Sequence, residues 1–141
     1  MVELKTSTEA VDLQAVKNLI KMVGYEIIRD DGDLFVVQDE SCIPIYCCMQ
    51  TNVLSNTIPC HKTTKETLTQ DVLYRMLDAS NGLSTSNFRL TEMEDGRVQI
   101  VLTNFCKLQD LGDDDADDIW SALNFLEIDV VKARDILKDI L

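Results

Sequence analysis

Between Phe88 and Leu102 the chain alternates apolar and polar residues on both sides of one turn. No other feature constrains the fold as much. Phe88 and Leu90 interleave with Arg89 and Thr91, Asp95-Gly96 supplies the turn, and Val98, Ile100 and Leu102 return. Because side chains on a strand alternate between faces, Arg89, Thr91, Gln99 and Thr103 share the opposite side. The pattern predicts an antiparallel hairpin with one face on a core and one face wet, as in a sheet covered on one side only.

The cover is read from three helical stripes. Leu13, Val16, Leu19, Ile20 and Val23 recur at helical spacing and predict a helix over residues 7 to 23, with Thr6 and Glu9 as a capping box and Gly24 as the stop. Leu68, Val72, Leu73, Met76 and Leu77 mark a second over residues 66 to 80, with Thr63 and Glu66 as its box and Asn81-Gly82 ending it. The third runs from about residue 116 to 140. Ile119, Leu123, Leu126, Val130, Leu137 and Leu141 form its stripe, which Trp120, Phe125, Val131 and Ile136 widen beyond what one sheet face needs.

Four runs of strand type lie between the first two helices. Tyr25–Arg29 and Leu34–Gln38 flank Asp30-Asp31-Gly32-Asp33, a hairpin turn. Ile43–Gln50 follows, with Pro44 near its start. Val53–Cys60 is more polar and carries Pro59, which predicts a weaker strand at a sheet edge. The whole reads α-β-β-β-β-α-β-β-α: an α+β fold, residues 1–141 forming a single domain, with helices packed on one face of an antiparallel sheet.

This order resembles the YbjN-like family, which is grouped with type III secretion chaperone-like folds. Also similar are the helix end Val23-Gly24-Tyr25-Glu26, the acidic hairpin before Leu34-Phe35-Val36, and the strand Ile43-Pro44-Ile45-Tyr46. The resemblance implies a helix-covered antiparallel sheet, no cofactor, often a homodimer, and a role in binding or regulating other proteins. The family carries no catalytic signature, so no residue inherits a role from it.

Charge narrows the partners. The net charge of −12 repels phosphate backbones and anionic lipid heads, which disfavours nucleic acid and membrane surfaces. It attracts cationic segments, though at physiological salt only within about 8 Å. No stretch approaches the ~20 apolar residues of a membrane span. Met1-Val2-Glu3-Leu4-Lys5-Thr6 lacks the form of a signal peptide, and five irregularly spaced cysteines do not form a secreted disulfide framework. The expected compartment is the cytoplasm.

Three constellations could carry chemistry. Asp113, Asp114, Asp115, Asp117 and Asp118 place acids at the first, third and fifth positions of an EF-hand loop, but Asp118 stands where the turn glycine belongs and Asn124 where the bidentate Glu belongs. An acidic helix start is the better reading. Cys42, Cys47, Cys48, Cys60 and Cys106 with His61 could supply a zinc site or a thiol nucleophile. Cys47 and Cys48 are adjacent, however, and point to opposite faces, as do Cys60 and His61, so the thiols read as small apolar residues. With five glycines there is no phosphate-cradling loop, and no serine-hydrolase motif occurs.

Trp120, Phe125, Tyr46 and Tyr74 could anchor an interface, since large amphipathic rings dominate binding hot spots. The sequence therefore predicts a non-catalytic, chaperone-like or regulatory module. It would bind another polypeptide through an apolar groove or through a strand edge near Val53–Cys60. The alternative is a metal-binding or thiol-based enzyme or sensor using the cysteines and His61.

Overall fold

The computed structural model describes residues 11–141. Its elements are α1 (Leu13–Met22), β1 (Glu26–Asp31), β2 (Leu34–Gln38), β3 (Ile45–Gln50), β4 (Val53–Thr63), α2 (Gln70–Leu77), β5 (Asn87–Glu92), β6 (Val98–Lys107) and α3 (Asp113–Ile140). The strands form one open six-stranded antiparallel sheet in the order β1-β2-β3-β4-β6-β5. The α+β class and the element order are those expected from the sequence. The described residues group into two compact units, 11–55 with Phe105–Trp120, and Asn56–Asn104 with Ser121–Leu141.

In the first unit, Asp12 caps α1 by accepting from the Gln14 and Ala15 amides, so the helix starts at Leu13. The expected Thr6–Glu9 capping box lies outside the described residues. Gly24 ends the helix at φ +104°, where a side chain would strain the backbone. The β1–β2 turn is tighter than expected. Asp30 and Asp31 belong to β1, Asp31 pairs with Leu34, and only Gly32-Asp33 bridge the strands. β2 and β3 pair Phe35 with Cys47 and Val37 with Ile45, all four buried, which sets the core face. Lys17 of α1 is also buried on that side, its Nζ 5.2 Å from the Phe35 ring centroid and 2.7 Å from Asp30 Oδ1. Pro44 precedes β3, whose first residue is Ile45 rather than Ile43, consistent with the donor that proline lacks.

In the second unit, α2 is shorter than its stripe suggested. Thr69, not Thr63, is its N-cap and accepts from the Val72 amide, while Leu77 is exposed instead of buried. Phe88, Val98, Ile100 and Leu102 are buried as the alternation required, but Leu90, expected on the same face, is 46% exposed, and Val101 on the opposite face is buried. β5 pairs with β6 at six consecutive positions without a shift. On α3, Leu123, Leu126, Val130 and Leu137 are buried, as is Ile119 in its first-unit part, whereas Leu141 of the same stripe is exposed, and so are Phe125, Val131 and the first unit's Trp120, which widened it.

The expected place of the fourth strand is overturned. β4 is not an edge strand: it lies between β3 and β6 and runs for eleven residues. Pro59 is tolerated because β3 has only six residues, so the second half of β4 outruns its hairpin partner. The opposite sheet face is solvent-exposed there but not uniformly polar, since Leu34, Tyr46 and Phe105 of the first unit are 58%, 48% and 66% exposed.

Candidate functional site

The strand order leaves β1 and β5 as the two edges, each with one row of main-chain groups unpaired. β1 is charged along its length and carries a register shift between Ile27 and Arg29. Arg29 and Asp31 form an ion pair of 2.7 Å on it. β5 is regular. Beside it is a cavity of about 340 Å³ lined by Leu68, Leu73, Leu90 and Val98, with Lys65 and Glu92 at its margin. Those two charges pair at 2.7 Å, and Lys65 is held above its ordinary value first by the hydrogen bond to Glu92 and then by its charge. α2 packs against β5 and leaves Tyr74 and Leu77 exposed. An extended segment laid along β5 would gain main-chain hydrogen bonds and could place alternate side chains toward the cavity.

The entrance to β5 is held by Asp129, a fully buried carboxylate on α3. Its oxygens accept from the amides of Ser84, Thr85 and Ser86 at 3.1 to 3.2 Å and from the Ser84 hydroxyl at 2.9 Å. Burial by itself would raise this carboxyl, but the hydrogen bonds, led by the Ser84 amide, outweigh it and hold the group below its ordinary value. Three successive amides converging on one anion make a nest, here filled by the protein's own side chain. A second buried polar link joins β4, β6 and α3. Asn56 Nδ2 donates to Asn104 Oδ1 at 3.2 Å, and Asn104 Nδ2 donates to the Ala122 carbonyl at 2.7 Å.

Sequence reasoning passed over these three residues, although each left a signal. Asn56 shares strand parity with buried Leu54 and Ile58, Asn104 with buried Leu102 and Cys106, and Asp129 falls on the α3 stripe beside Leu126, Val130 and Ala133. A polar side chain at core spacing must find partners, because an unsatisfied buried group costs about 1–3 kcal/mol.

The four expected anchors are all exposed: Tyr74 69%, Tyr46 48%, Trp120 47% and Phe125 38%. Tyr46 and Trp120 belong to the first unit, Tyr74 and Phe125 to the second. Tyr74 follows Leu73, which lines the cavity beside β5.

The cysteines divide by burial. Cys42 is exposed and sits at φ +59°, which corrects its reading as a buried thiol. Cys47 and Cys106 are buried. Burial drives the Cys47 thiol far up, and burial followed by the charges of Asp118 and Asp115 pushes Cys106 up to about 12. Cys60 is pushed up to about 11 by burial, against an opposing pull from the Arg134 charge. At neutral pH these three are thiols, not nucleophilic thiolates. Cys60 and His61, expected to point apart, both line one cavity in the second unit. Among the described residues no group of three or more His, Cys, Asp or Glu is placed to hold a metal ion. The helix begins at Asp113 and passes through the acidic run, and buried Asp115 turns back to accept from the Gln109 and Leu111 amides at 2.8 and 2.7 Å. No helix of the described residues is long and apolar enough to cross a membrane.

No protein-family model matches this sequence, and no curated protein matches it. Solved structures do. The chain superposes on YbjN, a candidate transcription regulator from E. coli, with a TM-score of 0.65 at 11% identity, covering 94% of this chain and 96% of that one. It also superposes on the Yersinia pestis type III secretion chaperone SycH, solved in complex with a stable fragment of YscM2. There the TM-score is 0.50 at 12% identity, with 86% of this chain and 95% of that one covered. The fold is YbjN-like and type III secretion chaperone-like, as the sequence resemblance implied.

Proposed function

We propose that this protein is a non-catalytic binding module, chaperone-like or regulatory, that takes up an extended segment of another polypeptide along β5. The observation that carries the reading is the contrast between the edges. β5 alone combines an unbroken register with an adjoining apolar cavity. The fold neighbours support it, since one is a candidate regulator and the other a secretion chaperone seen with a protein fragment. A suitable segment alternates apolar residues, for the cavity, with basic ones, which the net charge of −12 attracts.

Tyr74 is the anchor carried by α2, the helix that packs against β5. Trp120, Phe125 and Tyr46 offer further ring surface elsewhere, and Trp120→Ala should weaken a complex that uses it by about 2 kcal/mol while the domain stays folded. Loss of folding instead would return Trp120 to a structural role. The protein acts in the cytoplasm in this reading. Self-association, if the chain dimerises as the resemblance implies, has an exposed apolar face available at Leu34 and Tyr46.

The test is capture of partners from the native cytosol by the wild-type protein and by two edge variants, Leu90→Lys and Ile28→Lys, across a salt series. A partner at near-equal amount that survives moderate salt and is lost only with Leu90→Lys supports the reading. A partner held equally by both variants, or none at all, counts against it. Stoichiometric zinc in protein purified under reducing conditions, lost on Cys→Ser substitution, would support the metal or thiol alternative.

A further inference from the structure

The second unit contains a cavity of about 490 Å³ whose polar lining is cationic, in a chain of net charge −12. His61 at the end of β4 and Arg134 and Lys138 on α3 supply the basic groups, and Thr63 and Thr67 add hydroxyls, that of Thr67 lying 2.9 Å from the Thr64 hydroxyl. Arg134 and Lys138 are four residues apart, so they lie on one helix face. The acids interspersed with them fall elsewhere. Neither Asp135 nor Asp139 lines this cavity, and Asp139 lines a different recess with Arg75 and Asp78. The helix thus sorts its last charges by sign. Among the described residues neither Arg134 nor Lys138 is paired with a carboxylate. Basic residues near a helix C-terminus are favourable for the dipole alone, but that does not account for an imidazole and two hydroxyls from another segment lining the same space. Buried Leu137, half-buried Cys60 and Leu141 contribute an apolar lining.

We propose that this cavity binds a phosphomonoester with an apolar body. A guanidinium fork, an ammonium, an imidazole and two hydroxyls present more donors than a planar carboxylate can accept, and they suit the three terminal oxygens of a phosphate ester. The volume falls within the range of small-molecule sites, about 300–1,000 Å³, and exceeds what inorganic phosphate would fill, which leaves the Leu137 side for a hydrocarbon or ring.

His61 is the only histidine in the chain, so its imidazole carbon–proton resonances report on the site without ambiguity. The experiment follows them in the full chain at fixed pH and ionic strength while phenyl phosphate, inorganic phosphate or benzoate is added. Phenyl phosphate should give a saturable shift, inorganic phosphate should saturate at higher concentration, and benzoate should be weakest. Arg134→Gln and Lys138→Gln, both at exposed positions, should each raise the half-saturating phenyl phosphate concentration by about tenfold, as expected for loss of one charge-assisted hydrogen bond. A linear drift without saturation would overturn the proposal, as would a half-saturation unchanged by both substitutions. Benzoate binding as well as phenyl phosphate would overturn the phosphate assignment. Inorganic phosphate binding equally well would overturn the apolar body.

Discussion

The two edges of the sheet are built from strands of equal length and opposite design. β1, Glu-Ile-Ile-Arg-Asp-Asp, has four charged residues, and a register shift twists it where a neighbour would have to pair. β5, Asn-Phe-Arg-Leu-Thr-Glu, has two charged residues, keeps its register throughout, and ties Glu92 back to Lys65. Charges and bulges are the devices by which proteins keep exposed strands from pairing with other chains. They are present on β1 and scarce on β5, and on that difference rests the proposal that β5 is the edge that takes a partner. Asp129 reinforces the difference by fixing the segment that leads into β5.

The largest test of this contrast is Asp129→Ala. It removes the acceptor of three amides and a hydroxyl at a fully buried position, so the unfolding free energy in urea should fall by about 3 kcal/mol or more. Measured amide exchange should rise first in β5. A loss below about 1 kcal/mol would show that the entrance to β5 holds without its nest.

Next in size is the pair of edge substitutions on binding. Leu90→Lys sets a charge beside the cavity and should weaken partner binding by about 2 kcal/mol, roughly thirtyfold, while Ile28→Lys on β1 should change it little. Titration calorimetry with the captured partner decides it. Equal losses at both positions would erase the distinction between the edges.

Acid provides a smaller effect with a definite sign. Asp129 is held below its ordinary value of 3.8, so its contribution to stability is complete above that pH and is lost as pH falls through the depressed folded value. Asp129→Asn should therefore flatten the decline of stability with acid below about pH 4 in urea titrations. A wild-type slope identical to that of the variant would remove Asp129 from the acid response.

The thiols allow the mildest probe, with one reporter in each unit. At pH 8 a thiol near 11 is only about 0.1% thiolate, so Cys60 should alkylate slowly, and Cys106, near 12, slower still. Exposed Cys42 should react quickly. Cys60 accelerating in Asp129→Ala while Cys106 does not would locate the loosening in the unit that carries β5. Equal acceleration would mean that both units loosen together.

Much of this was legible in the chain. Alternation from Phe88 to Leu102 and the stripe from Ile119 to Leu137 reappear as the paired strands and the buried face of α3, because period and burial are local consequences of backbone geometry. Helix starts were less legible. Thr63 with Glu66 has the form of a capping box, yet Thr69 does the capping, since several side chains compete for the same free amides. Tyr46, Tyr74, Trp120 and Phe125 were named as rings able to anchor a partner and all are exposed, but none of them lines the cavity beside β5, and the expected edge was misplaced. Pro59 argued for an edge, and only the unequal lengths of β3 and β4 reveal why a central strand tolerates it.

The sequence by itself determined the class of fold, the order of elements, the cover of one sheet face and the sign of the surface field. Each is set by residues close together in the chain or by simple sums over it. Tertiary structure alone decided which strands became edges, which carboxylate among 25 acidic residues was buried in a nest, and which basic groups came to line one cavity. Those outcomes depend on pairing and packing between residues as far apart as His61 and Arg134, and one-dimensional periodicity does not specify such long-range partners.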